Sequence, residues 1–489
     1  MEEIYSWDVM VISKVNEVMV RIDCDAGLAQ SLAEYFTFSV PGHEYMPAFR
    51  RKVWDGKIRL FNLSSKTLYI GLLPYVKQFA KENNKKISVS EKLDLTDEFS
   101  LVEAKEFIQS LNLPFEPRDY QITAFVHAVR HRRSLLLSPT ASGKSLIIYL
   151  LSMFYSGKIL ILVPTISLVS QMQKDFYSYG YTGEIHEIMA GAEKESDKRV
   201  FISTWQSLYK LPADYFEQFE VIIGDEAHLY KSKSLTKIMT NLTKAKYRFG
   251  LTGTLDGTET HQLVLEGLFG PVYRVTDTKK LMDARHLADF KIKALVLEYP
   301  EGLKRLATNQ KYHDEIDFLV TNEKRNNFIR NLAISLEGNT LILFQYVDKH
   351  GAVLYEDIRR RVGERSVSFI HGGVDSRDRE EVRSITENET NGIIVASFGT
   401  FSTGINIRNL HNIIFASPSK SKIRVLQSIG RALRLGENKE TATLYDIVDD
   451  LSYRDRQNYT LNHFTERMKI YNEEKFKYKM YNIKLGENS

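Results

Sequence analysis

Lys144 stands next to last in a run of mostly small residues, Ser138-Pro139-Thr140-Ala141-Ser142-Gly143-Lys144-Ser145, that follows one apolar stretch and opens another. In a strand-loop-helix setting such a run cradles phosphates. Backbone N–H groups of Thr140, Ala141, Ser142 and Gly143 and the helix N-terminus would face the anion. Lys144 would neutralise the β and γ groups, and the Ser145 hydroxyl would hold magnesium. Ser138 stands where the general pattern has its first glycine, and an ordinary strand-turn-helix with a solvated lysine is the competing reading. A second run, Asp225-Glu226-Ala227-His228, follows the apolar 221–224. Asp225 is suited to the same metal and Glu226 to orienting and deprotonating an attacking water. Taken alone, two acids opening a helix are common. With a phosphate loop upstream, the joint chemistry is phosphoryl transfer from ATP to water.

A third run, Gln427-Ser428-Ile429-Gly430-Arg431-Ala432-Leu433-Arg434, carries two arginines three apart. They share one helical face, and two guanidinium groups there suit a γ-phosphate, where such fingers contribute about a thousandfold or more to turnover. A solvated basic helix is the bland alternative.

These groups need elements that bring them to one place. From about Arg133 onward, short β-branched runs alternate with longer helical patterns, as in a parallel sheet covered by helices. Strands are expected at 134–137, 159–163, 200–203, 221–224 and 249–252, each ending in a small or polar cluster. Open parallel sheets place ligand sites at those carboxyl ends. A second series is expected at 291–297, 340–344, 367–370, 393–396, 413–416 and 442–448. The spacing divides the chain into an N-terminal α/β nucleic-acid-binding module at 1–95, an ATP-binding lobe at 96–285, a second lobe at 286–452 and a helical tail at 453–489.

At 489 residues the chain exceeds one ordinary core. Hydrophobic content of 43% and charged content of 26% place it among globular proteins. The longest apolar run, near 146–155, is interrupted by serine and falls short of a membrane span. Met1-Glu2-Glu3-Ile4 lacks a basic-then-apolar export signal. With Cys24 as the single cysteine, thiolate zinc sites and internal disulfides are excluded. A cytoplasmic location is expected, without a membrane partner, in the host cell if the source is viral. A formal charge of +4 is too small to identify a nucleic-acid partner, because binding needs a local basic face.

Over roughly residues 115–450 the chain resembles the DEAH/DEAD-like helicases of superfamily two. The resemblance rests on the three runs above and on six other segments. Phe115-Glu116-Pro117-Arg118-Asp119-Tyr120-Gln121 is similar to the family's adenine-reading segment, which implies that Gln121 contacts the base edge while Arg118 or Tyr120 helps to hold it. Thr252-Gly253-Thr254 stands where the family carries a lobe-coupling motif, with glycine replacing alanine. Ser402-Thr403-Gly404-Ile405-Asn406 resembles the motif that touches ATP and the nucleic-acid backbone, with Gly404 at the nucleotide and Asn406 where many relatives have aspartate. Pro164-Thr165 with Gln171, Ser203-Thr204-Trp205-Gln206 and His371-Gly372-Gly373 resemble the motifs that hold the strand. The fold implied is α/β, two tandem RecA-like P-loop NTPase lobes with a small N-terminal α/β domain and a short C-terminal helical tail.

Hydroxyls, amides and exposed backbone N–H groups suit phosphate contacts that ignore sequence. Trp205 would either stack on a base or sit in the core. The N-terminal module adds Phe49-Arg50-Arg51-Lys52-Val53-Trp54-Asp55-Gly56-Lys57-Ile58-Arg59, basic with interleaved aromatics. Its Asp-Gly pair predicts a tight hairpin. Two readings stand side by side: charges on DNA phosphates with Trp54 at a junction, or a solvated hairpin anchored by Trp54. Asp55 and Lys57, with Asp23 or Asp25 upstream, also fit a metal-dependent nuclease cluster loosely.

The whole-chain arrangement, with Trp54-Asp55-Gly56, Thr204-Trp205-Gln206 and Phe401-Ser402-Thr403-Gly404, is similar to the UvsW type of recombination and repair helicases of T-even-like bacteriophages. That resemblance implies branch migration, fork regression and unwinding of D-loops or R-loops. It implies DNA as partner, single-stranded, duplex and branched, with RNA:DNA hybrids and recombination or single-strand-binding proteins as further candidates. The alternatives are a nuclease-coupled translocase and an ATP-gated clamp without strand separation.

Overall fold

The computed structural model describes residues 9–90, 93, 95–189, 191, 193–255, 257–373, 389–404, 409–419, 421–433 and 441–485; of 231, 402–404, 422–423 and 431–432 it describes the backbone alone. The described chain divides into two compact units. The first runs to Val275 apart from the four residues 139–142, and the second runs from Thr276 onward. The division expected at 285/286 therefore falls earlier. The helix Thr278–Asp283 belongs to the second unit, where the Thr278 hydroxyl donates to Glu474 Oε2 at 3.0 Å.

The first unit opens with β1 (Val9–Lys14), β2 (Met19–Asp23), β3 (Thr37–Ser39), β4 (Lys57–Arg59), β5 (Thr67–Tyr69) and β6 (Lys86–Val89). Four of these form a sheet in the order β5-β2-β1-β6, antiparallel except where β6 joins β1. Next come β7 (Arg133–Leu137), β8 (Ile159–Val163), β9 (Ile185–Ile188), β10 (Val200–Thr204), β11 (Val221–Gly224), β12 (Tyr247–Thr252) and β13 (Val272–Arg274). They make one parallel sheet in the order β13-β7-β12-β11-β8-β10-β9. β7, β8, β10 and β11 are buried along their whole length, which is why their centres read as apolar runs.

The N-terminal module shares its core with this sheet. Met10, Ile22, Leu72 and Phe79 belong to one continuous apolar cluster with Leu135, Ile222 and Phe269. Polar ties reinforce the seam. Arg133 donates to the Glu17 carbonyl at 2.6 Å, and Tyr75 donates to the buried Glu266 carboxylate at 2.5 Å. At Gly71 a Cβ would stand 1.9 Å from the Glu266 carbonyl oxygen, so only glycine fits that approach.

The second unit contains β14 (Asp289–Glu298), β15 (Thr340–Phe344), β16 (Val367–Ile370), β17 (Ile393–Ser397), β18 (Asn412–Phe415), β19 (Thr441–Asp450) and β20 (Lys477–Lys484). Its sheet is parallel throughout, in the order β16-β17-β15-β18-β19-β14-β20. Every strand expected from the sequence is present, with ends moved by no more than two residues. The tail is a helix, Tyr459–Glu473, that returns the chain so that β20 can pair along β14. β20 departs from the helical expectation for the tail because Lys477-Tyr478-Lys479 forms an exposed edge without an apolar run.

The expected hairpin at Asp55-Gly56 is not formed. β4 pairs with β3, and residues 40–56 between them carry the short helix Pro47–Arg50. Gly56 turns the chain at φ +78, where a side chain would meet His43 at 2.2 Å. Among the described residues, no helix is long and apolar enough to cross a membrane.

Candidate functional site

Because β7, β8, β10, β11 and β12 run parallel, their carboxyl ends share one edge of the sheet. The Ser138 N–H donates to the Thr252 carbonyl at 2.8 Å, and the Asp225 N–H to the Leu162 carbonyl at 2.9 Å. The polar clusters of four strands are thereby held in a fixed row. In the phosphate loop, Ala141 at φ +65 and Gly143 at φ +78 turn the backbone left-handed. The Ser142 hydroxyl and N–H both donate to the Pro139 carbonyl, at 2.6 and 3.2 Å. Such alternation directs successive N–H groups into a concavity suited to an anion. The helix Lys144–Phe154 begins at its rim.

The adenine-reading segment is tied to this loop. Gln121 is buried, its amide oxygen accepts from the Arg118 N–H at 2.9 Å, and its amide nitrogen donates to the Gly143 carbonyl at 3.3 Å. A Cβ on Gly143 would lie 2.4 Å from that nitrogen. The Arg118 guanidinium donates to the Tyr120 hydroxyl at 2.8 Å. Part of the hydrogen-bonding capacity expected for the base edge thus joins the segment to the loop.

Asp225 and Glu226 stand at the end of β11. Burial, with repulsion from Glu226 beside it, pushes the Asp225 carboxyl up to about 6, against the pull of Lys144. Glu226 adopts φ +48, left-handed for a residue with a side chain, a conformation that costs on the order of 1 kcal/mol and concentrates at functional positions. Its carboxylate lies 3.4 Å from His228 Nδ1, which is also 3.0 Å from the Thr252 hydroxyl. A hydroxyl and a carboxylate form an all-oxygen donor set, which suits magnesium. A carboxyl raised by burial and a like charge is one that a cation would ionise, so Ser145 and Asp225 fit that ion.

Sequence reading missed Tyr179. Its hydroxyl lies 2.7 Å from Ser145 Oγ, and its ring packs edge-on against Phe115 with centroids 5.5 Å apart. The only sequence signal was an aromatic residue before Gly180 at a helix end.

Pro164 and Thr165 lead into the helix Ile166–Ser178, where Ile166 is exposed, and Gln171 donates to Asp175 at 2.7 Å. Thr204 is buried, Trp205 is half-buried against the core, and Gln206 is exposed. This placement favours the core reading of Trp205 over base stacking. Arg50, Arg51, Lys52, Lys57 and Arg59 are exposed, and Trp54 is half-buried with its indole N–H donating to the Lys57 carbonyl at 2.9 Å. The carboxylates of the nuclease reading are engaged locally. Asp55 pairs with Arg59, Asp23 with Arg21 at 3.0 Å, and Asp25 caps the helix Ala26–Tyr35. Among the described residues, no cluster of three or more metal-ligating side chains occurs.

In the second unit, Gly372 is exposed after β16 and Gly404 ends the helix Phe398–Gly404. Arg431 lies in the helix Lys422–Ala432, of which its backbone is described, whereas Arg434 and Asn406 lie outside the described residues. The loop before that helix is braced by two buried ion pairs. Arg325 binds Asp449 at 2.8 and 3.0 Å and donates to the Ala416 carbonyl at 2.8 Å. Arg467 binds Asp446 at 2.8 Å through two nitrogens and donates to the Ser419 carbonyl at 3.0 Å. Residues 416–419 are thus gripped from both sides.

Three families match parts of the chain: the one described as DNA helicase UvsW, N-terminal, over residues 13–90; the type III restriction enzyme res subunit over 114–257; and the helicase conserved C-terminal domain over 323–436. The chain is 34% identical to the ATP-dependent DNA helicase uvsW of Enterobacteria phage T4, over 95% of this chain and 98% of that one. It is 23% identical to the DNA 3'-5' translocase XPB2 of Sulfurisphaera tokodaii, over 70% of this chain and 84% of that one. The crystal structure of T4 UvsW superposes with a TM-score of 0.51 at 32% identity, covering 98% of this chain and all of that one.

Proposed function

The chain belongs to the UvsW family of DNA helicases, and from that membership we propose an ATP-dependent DNA helicase that remodels branched DNA in recombination and repair, by branch migration, fork regression and unwinding of D-loops or R-loops. The carrying observation is that Asp225 and Glu226 follow β11 on the sheet edge that also presents the phosphate loop, with the Asp225 carboxyl pushed up by burial and by Glu226 against the pull of Lys144. That constellation is built for a nucleoside triphosphate with a divalent cation, and ATP is the family's nucleotide.

Ser145 and Asp225 would hold magnesium, which when bound offsets charge on the β- and γ-phosphates. The backbone of Thr140, Ala141, Ser142 and Gly143 binds the phosphates, and Lys144 neutralises them. Arg118, Tyr120 and Gln121 orient the base. Glu226 aligns the attacking water and takes its proton. Arg431 and Arg434 of the second unit, with Gly404 near the nucleotide, are assigned the charge that develops on the γ-phosphate. Pro164, Thr165, Thr204, Gln206 and Gly372 are suited to grip a strand by its backbone.

The test is Glu226→Gln in the full chain. It should bind forked DNA and nucleotide while losing hydrolysis and strand displacement, and hydrolysis close to that of the parent would refute the assignment. Forked DNA incubated with the parent chain and magnesium should keep both strands intact. Cut strands would restore the nuclease alternative, and nucleotide-gated DNA binding without displacement would support the clamp.

A further inference from the structure

Ser145 has a side-chain partner at the start of its helix. Its hydroxyl lies 2.7 Å from the Tyr179 hydroxyl, and Tyr179 follows the helix Ile166–Ser178, which Pro164 and Thr165 lead into. The Tyr179 ring is held on two sides, edge-on to Phe115 at 5.5 Å and to Tyr149 at 5.4 Å between centroids. Phe115 lies three residues before Arg118, and Tyr149 lies one turn beyond Ser145 on the helix of the phosphate loop. The backbone N–H of Tyr179 donates to the Asp175 and Phe176 carbonyls, at 3.0 and 3.2 Å, and Gly180 at φ +99 ends the helix behind it. Its phenol is therefore aimed by a fixed ring on a fixed backbone.

A serine hydroxyl that ligates a cation must turn an oxygen lone pair toward the metal and send its proton elsewhere. An isolated serine rotates freely among three staggered positions. We propose that Tyr179 is a positioning residue for the magnesium-nucleotide: its phenolic oxygen accepts the Ser145 proton and fixes the Ser145 lone pairs toward the cation, while its ring braces Phe115 beside the base-reading segment. The tyrosine thereby joins the metal-binding hydroxyl, the base segment and the end of a helix whose start is assigned to the DNA track. This inference rests on the assignment of Ser145 to magnesium.

The test compares ADP affinity with and without magnesium by calorimetry on the full-length chain. In the parent, magnesium tightens ADP binding. In Tyr179→Phe, which keeps the ring and removes the oxygen, the magnesium-dependent gain should shrink by about three- to tenfold, the value of a single hydrogen bond. Affinity in chelator should stay at the parent value, and the thermal midpoint should hold, because a merely structural tyrosine would move those instead. Tyr179→Ala should additionally weaken binding in chelator as Phe115 loses its support. A parent-like magnesium gain in Tyr179→Phe, or a loss equal with and without magnesium, overturns the proposal. Ser145→Ala separates the two levels. If it abolishes the magnesium gain while Tyr179→Phe does not, the tyrosine's role fails and the nucleotide site stands; if Ser145→Ala leaves the gain intact, the site assignment itself fails.

Discussion

His228 Nδ1 lies 3.0 Å from the Thr252 hydroxyl. That hydroxyl donates to the Thr254 carbonyl at 3.0 Å, so it accepts from the histidine, which assigns the Nδ1 proton. The same Nδ1 lies 3.4 Å from the Glu226 carboxylate, so one imidazole edge touches both the proposed water-activating acid and the segment 252–254. Thr252→Val keeps the shape and removes the acceptor, leaving a buried donor without it, at a cost of about 1–3 kcal/mol. ADP affinity should be retained, ATP turnover should fall on the order of tenfold, and strand displacement should fall further. Parallel loss of turnover and displacement, measured on one forked substrate, would deny the coupling.

The parts of this site visible in the sequence are those whose chemistry is local. Lys144 with Ser145, and Asp225 with Glu226, must be neighbours because one loop and one strand end present them. The central strands were visible for a related reason: Ile159–Val163 is buried on both faces and admits only apolar residues. Ser145 and Tyr179 are 34 apart in sequence, and nothing local announces their contact. Asp55-Gly56 misled because it signals a tight turn, whereas the partner of β4 lies beyond residues 40–56. β20 was hidden because an edge strand needs only backbone pairing with β14 and can carry lysines outward.

His350 gives the second unit an acid sensitivity. It is fully buried with Nδ1 3.1 Å from the Ser417 hydroxyl, and burial, with Arg325 adding, lowers it to about 3. A histidine depressed in the folded state contributes stability above its unfolded value that is lost as pH falls toward the folded one. Between about 6.5 and 3 the unfolded chain binds the extra proton, which costs about 1.4 kcal/mol per pH unit. His350→Gln should therefore flatten the fall in unfolding midpoint between pH 7 and 5. An unchanged slope would show that other groups govern it.

The C-terminal segment is part of the second unit. Glu315 is buried and accepts from the N–H groups of Tyr459 and Thr460, at 2.9 and 2.8 Å, anchoring the start of the last helix. Arg467 from that helix holds Ser419 ahead of the helix that carries Arg431. Removing one member of such a buried pair costs roughly 3–5 kcal/mol. Arg467→Ala should lower the stability of the second unit in denaturant by that amount, and deletion of 459–489 should abolish its cooperative unfolding. A truncated chain with parent-like unfolding and ATP turnover would make the tail dispensable.

The N-terminal basic segment separates into two classes by what already neutralises it. Arg59 pairs with Asp55, whose carboxyl that hydrogen bond holds down at about 2, so its charge is shared before DNA arrives. Arg50 donates to the Glu44 carbonyl, a neutral partner, at 3.3 Å, and lies on an exposed surface beside the exposed Arg51 and Lys52. Every DNA phosphate that a substitution leaves without its cation should reduce the slope of log affinity against log salt by about 0.9 on duplex DNA. Replacing Arg50, Arg51 and Lys52 together by alanine should flatten the slope for a four-way junction by about two to three. Arg59→Ala should change it far less, since a guanidinium already engaged by Asp55 neutralises no DNA phosphate. Equal effects from the two variants would mean that the pair opens on DNA, and no effect from either would leave this face solvated and unconnected with the track.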